Sequence, residues 1–217
     1  MKNIGFKEID FDYNESPFLK FATSRYSISS KIDVSYAWDF AKENGYSFFI
    51  TSLGCLISGL NQVPELKWRY IDNITIEFDH LEGITPIMDE NSESYLEMRV
   101  QAPCDFDSFE DWHFYVKNRS SNILNGSLKP FDVPMDKRDS EPTANFSCVP
   151  WIDFDTLNPC ILEAHQIQPL VTWGKVNENK KMSVAITTSH IYINGKQLGQ
   201  FYKIIQEYFY NPLSIIE

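Results

Sequence analysis

Apolar and polar positions follow two rhythms along this chain. Residues 33–43 put Val34, Ala37, Trp38 and Ala41 on one face at helical spacing, with Asp33 as a cap before them and Asn44-Gly45 as a stop after them. Residues 47–62 predict a second helix, closed by Pro64. No charge occurs from Asn44 to Pro64, but Ser47, Thr51, Ser52, Ser58, Asn61 and Gln62 interrupt the stretch, so it reads as a helix buried in a globular protein rather than a membrane span. Residues 107–124 intersperse Phe109, Trp112, Phe114, Tyr115 and Val116 with charges and predict a third helix. Residues 196–209 align Leu198, Phe201, Ile204, Ile205, Tyr208 and Phe209 and predict a fourth.

The shorter rhythm predicts strands over 21–32, 67–71, 74–78, 95–101 and 145–151, with Asp72-Asn73 as a turn. Residues 171–176 and 183–188 flank the polar run Asn177-Glu178-Asn179-Lys180-Lys181 and read as a hairpin. Residues 126–144, with several prolines and many charges, read as a surface loop. Helices and strands mix without βα alternation, which predicts an α+β layer structure around a mostly antiparallel or mixed sheet. No repeat or linker-like shift divides the chain, so one domain over residues 1–217 is expected.

Composition narrows the partners. The chain has 217 residues, 43% hydrophobic and 15% aromatic, ample for a core. Nineteen Lys and Arg face thirty Asp and Glu, a net charge of −11. That balance argues against nucleic acid and anionic membranes, while leaving room for a local basic pocket. Cys55, Cys104, Cys148 and Cys160 show no CxxC spacing, so no zinc or redox motif is expected, and free thiols in a reducing cytoplasm are. The N-terminal stretch lacks the apolar core of a secretion signal.

Nucleotide-binding glycine loops, HExxH and GxSxG are all missing from the sequence. The four histidines are the candidate bases. His80 follows a polar turn and is expected to be exposed. His113 lies in an amphipathic helix and is expected to be partly exposed, and His165 sits in an ambiguous segment. His190 ends an alternating run, Val184 to Ser189, and precedes a short turn into a helix. A base there can be held rigidly while facing a cleft.

Several segments resemble a known family. Ser189-His190-Ile191-Tyr192-Ile193-Asn194-Gly195-Lys196-Gln197-Leu198-Gly199-Gln200-Phe201 resembles the HHxxxDGxHxxxF signature of chloramphenicol acetyltransferases. Ser147-Cys148-Val149-Pro150-Trp151-Ile152-Asp153-Phe154-Asp155 resembles the family's SxxPWxxFxSF segment, and Thr172-Trp173-Gly174-Lys175 its TMxK segment. Ser30-Lys31-Ile32-Asp33 and Pro64-Glu65-Leu66-Lys67-Trp68-Arg69 resemble the start of its first helix and its PExR stretch. The matches are in order and span nearly the whole chain.

The resemblance implies a two-layer sandwich of helices on a mixed sheet. It also implies acetyl transfer from acetyl-CoA to chloramphenicol or another small hydroxyl compound, by direct attack and without a metal. The family's general base falls on His190, and its oxyanion-stabilising serine on Ser147. The threonine that acts through a bound water falls on Thr172, and a lysine that helps hold a CoA phosphate on Lys175. The family is a trimer whose base and acceptor pocket come from neighbouring subunits, so a homotrimer is implied.

Departures mark where this chain should differ. The family Asp of the histidine motif is Asn194, and the N-terminal Arg that pairs with it has no counterpart in Glu15-Ser16-Pro17-Phe18. A buried carboxylate without its Arg would be costly, so a neutral Asn194 is expected to support the site instead. The motif's other histidines are Ser189 and Gln197, and a lysine contacting CoA phosphate is replaced by Ser47. Residues 18–29 form a shorter segment than their counterpart, and Leu157 and Pro159 stand in the acceptor region, so the pocket should differ in shape. Two rivals remain. One is the related dihydrolipoamide acyltransferase chemistry, ranked lower because the chain carries no lipoyl or linker region. The other is a fold that binds CoA or acyl groups without turnover or with another specificity.

Overall fold

The structure, a computed structural model, describes residues 4–88 and 94–216. Residues 1–3, part of the stretch read for a secretion signal, lie outside them. Nine strands and four α-helices occur among the described residues: β1 (Phe6–Ile9), β2 (Arg25–Asp33), α1 (Ser35–Glu43), α2 (Phe48–Asn61), β3 (Trp68–Ile71), β4 (Ile74–Phe78), β5 (Glu82–Ile87), β6 (Leu96–Val100), α3 (Phe109–Leu124), β7 (Thr143–Val149), β8 (Leu170–Val176), β9 (Lys181–Ser189) and α4 (Gly195–Tyr210).

Six strands form one mixed sheet in the order β2-β9-β8-β7-β5-β6. The outer pairings are antiparallel, and β7 pairs in parallel with both β8 and β5. A separate antiparallel sheet, β1-β4-β3, was not foreseen as a second layer of strands. Its β3–β4 turn puts Asp72 and Asn73 at φ of 50° and 65°, the left-handed region a two-residue hairpin turn requires.

The uncharged helix is the centre of the core. Every residue of α2 from Ile50 to Leu60 is buried. Gly59 permits close approach of α4: a Cβ there would lie 2.3 Å from Ile205 Cγ2. The α4 stripe behaves as its spacing predicts, with Leu198, Phe201, Ile205 and Phe209 buried. Phe49 of α2 stacks on Trp173 of β8, ring centroids 5.7 Å apart. Strand alternation then turns Thr172 to the opposite face of the sheet, away from the helices. The helices thus cover one face of the sheet and leave the other for the site.

Several expectations need correction. His80, expected to be exposed, is half-buried, with Nε2 3.2 Å from an Asp105 carboxylate oxygen. The strand expected from residue 21 starts at Arg25, because residues 17–20 form a 3-10 turn that packs Phe18 inward. The expected loop over 126–144 contains a 3-10 helix, Met135–Ser140, and the first residues of β7. Its Arg138 is buried, ion-paired to Glu97. β5, unforeseen, is a central strand without polar alternation. His113 is buried rather than partly exposed, because Nε2 accepts the backbone N–H of Ser47 at 2.9 Å. Burial, followed by the charge of Lys117, holds its pKa below the ordinary histidine value.

Candidate active site

The parallel pairing of β7 and β8 puts Ser147 directly opposite Thr172. Both face a cavity of about 680 Å³, whose wall includes Phe146, Trp151, Leu157, Pro159 and Leu162. Thr172 is buried and Ser147 half-buried. Leu157 and Pro159, marked in the sequence as departures, do line this cavity. The segment that carries them, residues 150–169, connects the ends of two parallel strands and is pinned at several points. Lys31 of β2 forms ion pairs with Asp153 and Asp155, and Ser183 hydrogen-bonds Asp153 at 3.1 Å. At its other end Ser24 donates its backbone N–H to Ala164 at 3.0 Å. Gly174 lets the segment lie against β8, since a Cβ there would sit 2.5 Å from the Ile152 carbonyl oxygen.

His190 lies elsewhere. It follows the last residue of β9, and its backbone N–H donates to the Ser24 carbonyl at 2.8 Å. Its imidazole is sandwiched between two rings. Phe18 lies 3.9 Å away at 11° and Tyr26 4.5 Å away at 25°. The Tyr26 hydroxyl donates to the Ile193 carbonyl at 3.2 Å, which fixes that ring in turn. Nδ1 of His190 is buried without a partner. Ser189 supports the turn: its hydroxyl bonds Ser24 Oγ at 2.9 Å and accepts the Ile191 N–H at 3.3 Å.

One chain does not bring its candidate residues together. The β9 partner of Thr172 is Ala185, and His190 lies five residues further along, roughly 17 Å at the rise of a strand. His190 is not among the residues lining the cavity. Lys175 is exposed within an irregularity of the β8–β9 register, between Trp173 and Val176, and makes no ion pair among the described residues. Its ammonium is free for an anion.

Asn194 does not match its expected burial. It is exposed and caps α4, accepting the Lys196 N–H at 2.9 Å, with Gln197 completing the capping box. Burial cost therefore does not explain Asn at this position; a helix N-cap does. Gln197 also donates to Glu65 at 2.9 Å, joining two segments that resembled the family separately. Ser47 caps α2, its hydroxyl accepting the Ile50 N–H at 3.4 Å. The residues that sequence reasoning missed are Phe18 and Tyr26. Their only signal was their place in the shortened segment before Ser30.

Residues 7–206 match the sequence pattern of the family described as chloramphenicol acetyltransferase. The chain belongs to that family. It is accordingly an acyltransferase with the α+β family fold. Chloramphenicol acetyltransferase 3 of Escherichia coli is 21% identical over 186 residues, 84% of each chain. A chloramphenicol acetyltransferase of Staphylococcus aureus is 25% identical over 187 residues, 84% of this chain and 83% of that one. Among solved structures, a chloramphenicol acetyltransferase superposes with a TM-score of 0.75 at 21% identity, covering 96% of this chain and 100% of the other. The dihydrolipoamide acetyltransferase of Azotobacter vinelandii superposes with a TM-score of 0.63 at 11% identity, over 95% and 88% of the two chains. No helix among the described residues is long and apolar enough to cross a membrane, and no group of three or more His, Cys, Asp or Glu among them could hold a metal.

Proposed function

We propose that this family member, as one domain over residues 1–217, transfers an acetyl group from acetyl-CoA to the hydroxyl of a small acceptor in the cytoplasm, with chloramphenicol as the first acceptor to test. Such a transfer to the drug would make it a resistance enzyme. The observation that carries the reading is the separation of two half-sites: an aromatic-clamped histidine at the end of β9 and a serine–threonine pair in a cavity on β7 and β8. A homotrimer that faces the histidine of one copy to the cavity of the next completes both halves.

In this reading His190 takes the acceptor's hydroxyl proton as the oxygen attacks the thioester carbonyl. Imidazole suits the task, with a reference pKa of about 6.5. The faces of Phe18 and Tyr26 hold the ring in one plane and favour the positive charge it gains. The carbonyl oxygen becomes an oxyanion, and Ser147 Oγ donates to it, with Thr172 acting through a water. Collapse breaks the carbon–sulfur bond, and the CoA thiolate leaves with the proton held by His190. Lys175, exposed and unpaired, is the candidate anchor for a CoA phosphate.

The test is release of CoA thiol from acetyl-CoA, with and without chloramphenicol. Acceptor-dependent release that falls about 10²–10⁴-fold in His190→Ala is the expected result. CoA binding with no thiol release for any hydroxyl acceptor would leave a non-catalytic binder instead. Co-expressing His190→Ala with Ser147→Ala checks the assembly. If sites lie between copies, mixed trimers recover activity, about a quarter of the sites being intact at random. Two inactive variants that stay inactive together would overturn the shared site.

A further inference from the structure

The charged side chains lining the cavity are Arg25, Arg138 and Glu97. The two arginines are met differently. Arg138 makes a bidentate ion pair with Glu97, donates from Nε to the Val133 carbonyl at 2.9 Å, and lies 5.3 Å over the Phe131 ring. Its charge is fully answered. Arg25 is 9% exposed and makes no ion pair among the described residues. Its Nη1 donates to the carbonyls of Gln166 and Gln168, at 2.9 and 2.7 Å. Its Nε is buried and has no acceptor. Asp139 acts on it from a distance, but the two Asp139 oxygens accept the backbone N–H groups of Ile167 and Gln168. Burial lowers the Arg25 pKa to about 10, so the guanidinium is charged at neutral pH.

A buried cation served only by neutral acceptors is an unfavourable arrangement for stability alone. It is also a local exception in a chain of net charge −11. Two positive groups and one negative line the cavity, and Arg25 is the one cation among them without a direct ion pair to the described residues, Asp139 acting on it only from a distance. With Glu97 neutralised by Arg138, a single guanidinium, Arg25, is left to meet an anion, which suits a monoanion such as a carboxylate. The rest of the wall, including Ile84, Phe146, Trp151 and Leu162, suits an apolar body.

We propose that the acceptor is an apolar hydroxyl compound carrying one carboxylate, which docks on Arg25 while the hydroxyl is presented at Ser147 and Thr172. The hydroxyl's role rests on the acyl-transfer reading above; the carboxylate site does not. Arg25 and Ser147 line the same cavity, and Asn145, two residues before Ser147 on β7, donates to the Gln168 side chain at 2.7 Å while the Gln168 carbonyl holds Arg25. Small aromatic acids bearing a hydroxymethyl group at two different positions therefore sample the span between the charged end and the serine end.

The probes are 4-(hydroxymethyl)benzoate and 3-(hydroxymethyl)benzoate, each against its methyl ester. Binding is followed by tryptophan fluorescence, since Trp151 lines the cavity, and thiol release from acetyl-CoA is followed separately. At least one acid is expected to bind the wild type about tenfold or more tightly than its ester, as a charge-assisted bond allows. That ratio should fall to within about twofold in Arg25→Met. If Arg25→Met does not fold, Arg25→Lys and the wild type in rising salt replace it, and both should shrink the ratio. Acids and esters binding the wild type equally, or a ratio untouched by Arg25→Met or by both replacements, would overturn the proposal. A carboxylate preference in binding with no thiol release, from these probes or from chloramphenicol, would sustain the site and reject the acyl-transfer reading. Thiol release without the preference would do the reverse.

Discussion

The two half-sites are built by opposite means. His190 is held by closed, regular structure: a strand end, a backbone bond to Ser24, two ring faces and a capped helix that follows at once. Ser147 and Thr172 sit on equally regular strands, but the space in front of them is closed by residues 150–169, a connection with no helix or strand. The histidine half, which handles the proton in the reading proposed above, is fixed by packing, whereas the cavity half is a rigid floor under an irregular wall. Such a division lets orientation of the base stay constant while the shape of the pocket varies.

Variants on each side sharpen this contrast. Ser147→Ala should have the largest effect after loss of the histidine, lowering kcat about 10²–10³-fold with little change in thermal stability, because the substitution leaves the backbone pairing of β7 intact and the Ser147 hydroxyl makes no hydrogen bond to the described residues. A drop below tenfold would remove it from the oxyanion role. Phe18→Leu should lower kcat by about two- to tenfold and leave KM for acetyl-CoA nearly unchanged, since one stacked ring contributes about 0.5–1.5 kcal/mol. If KM rises and kcat does not, Phe18 belongs to the pocket and not to the clamp.

A third measurement separates stability from catalysis. His113 has a depressed pKa in the fold, so the unfolded chain binds the extra proton more readily. Its contribution is present above the unfolded value of about 6.5 and is lost as pH falls through the lower folded value. Melting temperature should therefore decline more between pH 7 and pH 5 in the wild type than in His113→Gln, which can still accept the Ser47 N–H through its amide oxygen. Parallel declines would exclude this histidine as a source of acid sensitivity. The smallest effect is expected for Asn194→Asp. Both residues cap helices equally well, so stability should change by less than about 0.5 kcal/mol, and kcat should not rise. A clear gain in kcat would revive a bracing role for a carboxylate at this position.

Much of this was legible from residue spacing. The four helices were each found within two residues of their ends, because apolar stripes of α1 and α4 and the long uncharged stretch of α2 leave few alternatives. The hairpin of β8 and β9 was announced by its polar turn. β5 escaped because a central strand buried on both faces has no alternation to read. Arg138 escaped because a charged residue in a proline-rich stretch looks solvent-exposed until its carboxylate partner, 41 residues away in sequence, is brought beside it. In the candidate site, the motifs singled out His190, Ser147, Thr172 and Lys175. The ring clamp was invisible, since Phe18 and Tyr26 meet His190 only through long-range pairing of β2 with β9. The burial expected of Asn194 was wrong because it was carried from the family pattern to a position whose local chemistry is that of an exposed helix cap.

The parallel pairing of β7 with β8 has one further consequence. Two antiparallel strands can be joined by a tight turn; two parallel ones force the chain to travel back the full length of the sheet before it re-enters. Here that obligatory return is residues 150–169, and it is also the cavity wall. The segment that topology makes unavoidable is thus the one whose cavity-facing side chains can be exchanged between its pinned points while the strands beneath it keep their register, and in the proposed reading such exchanges would retune which alcohol is recognised.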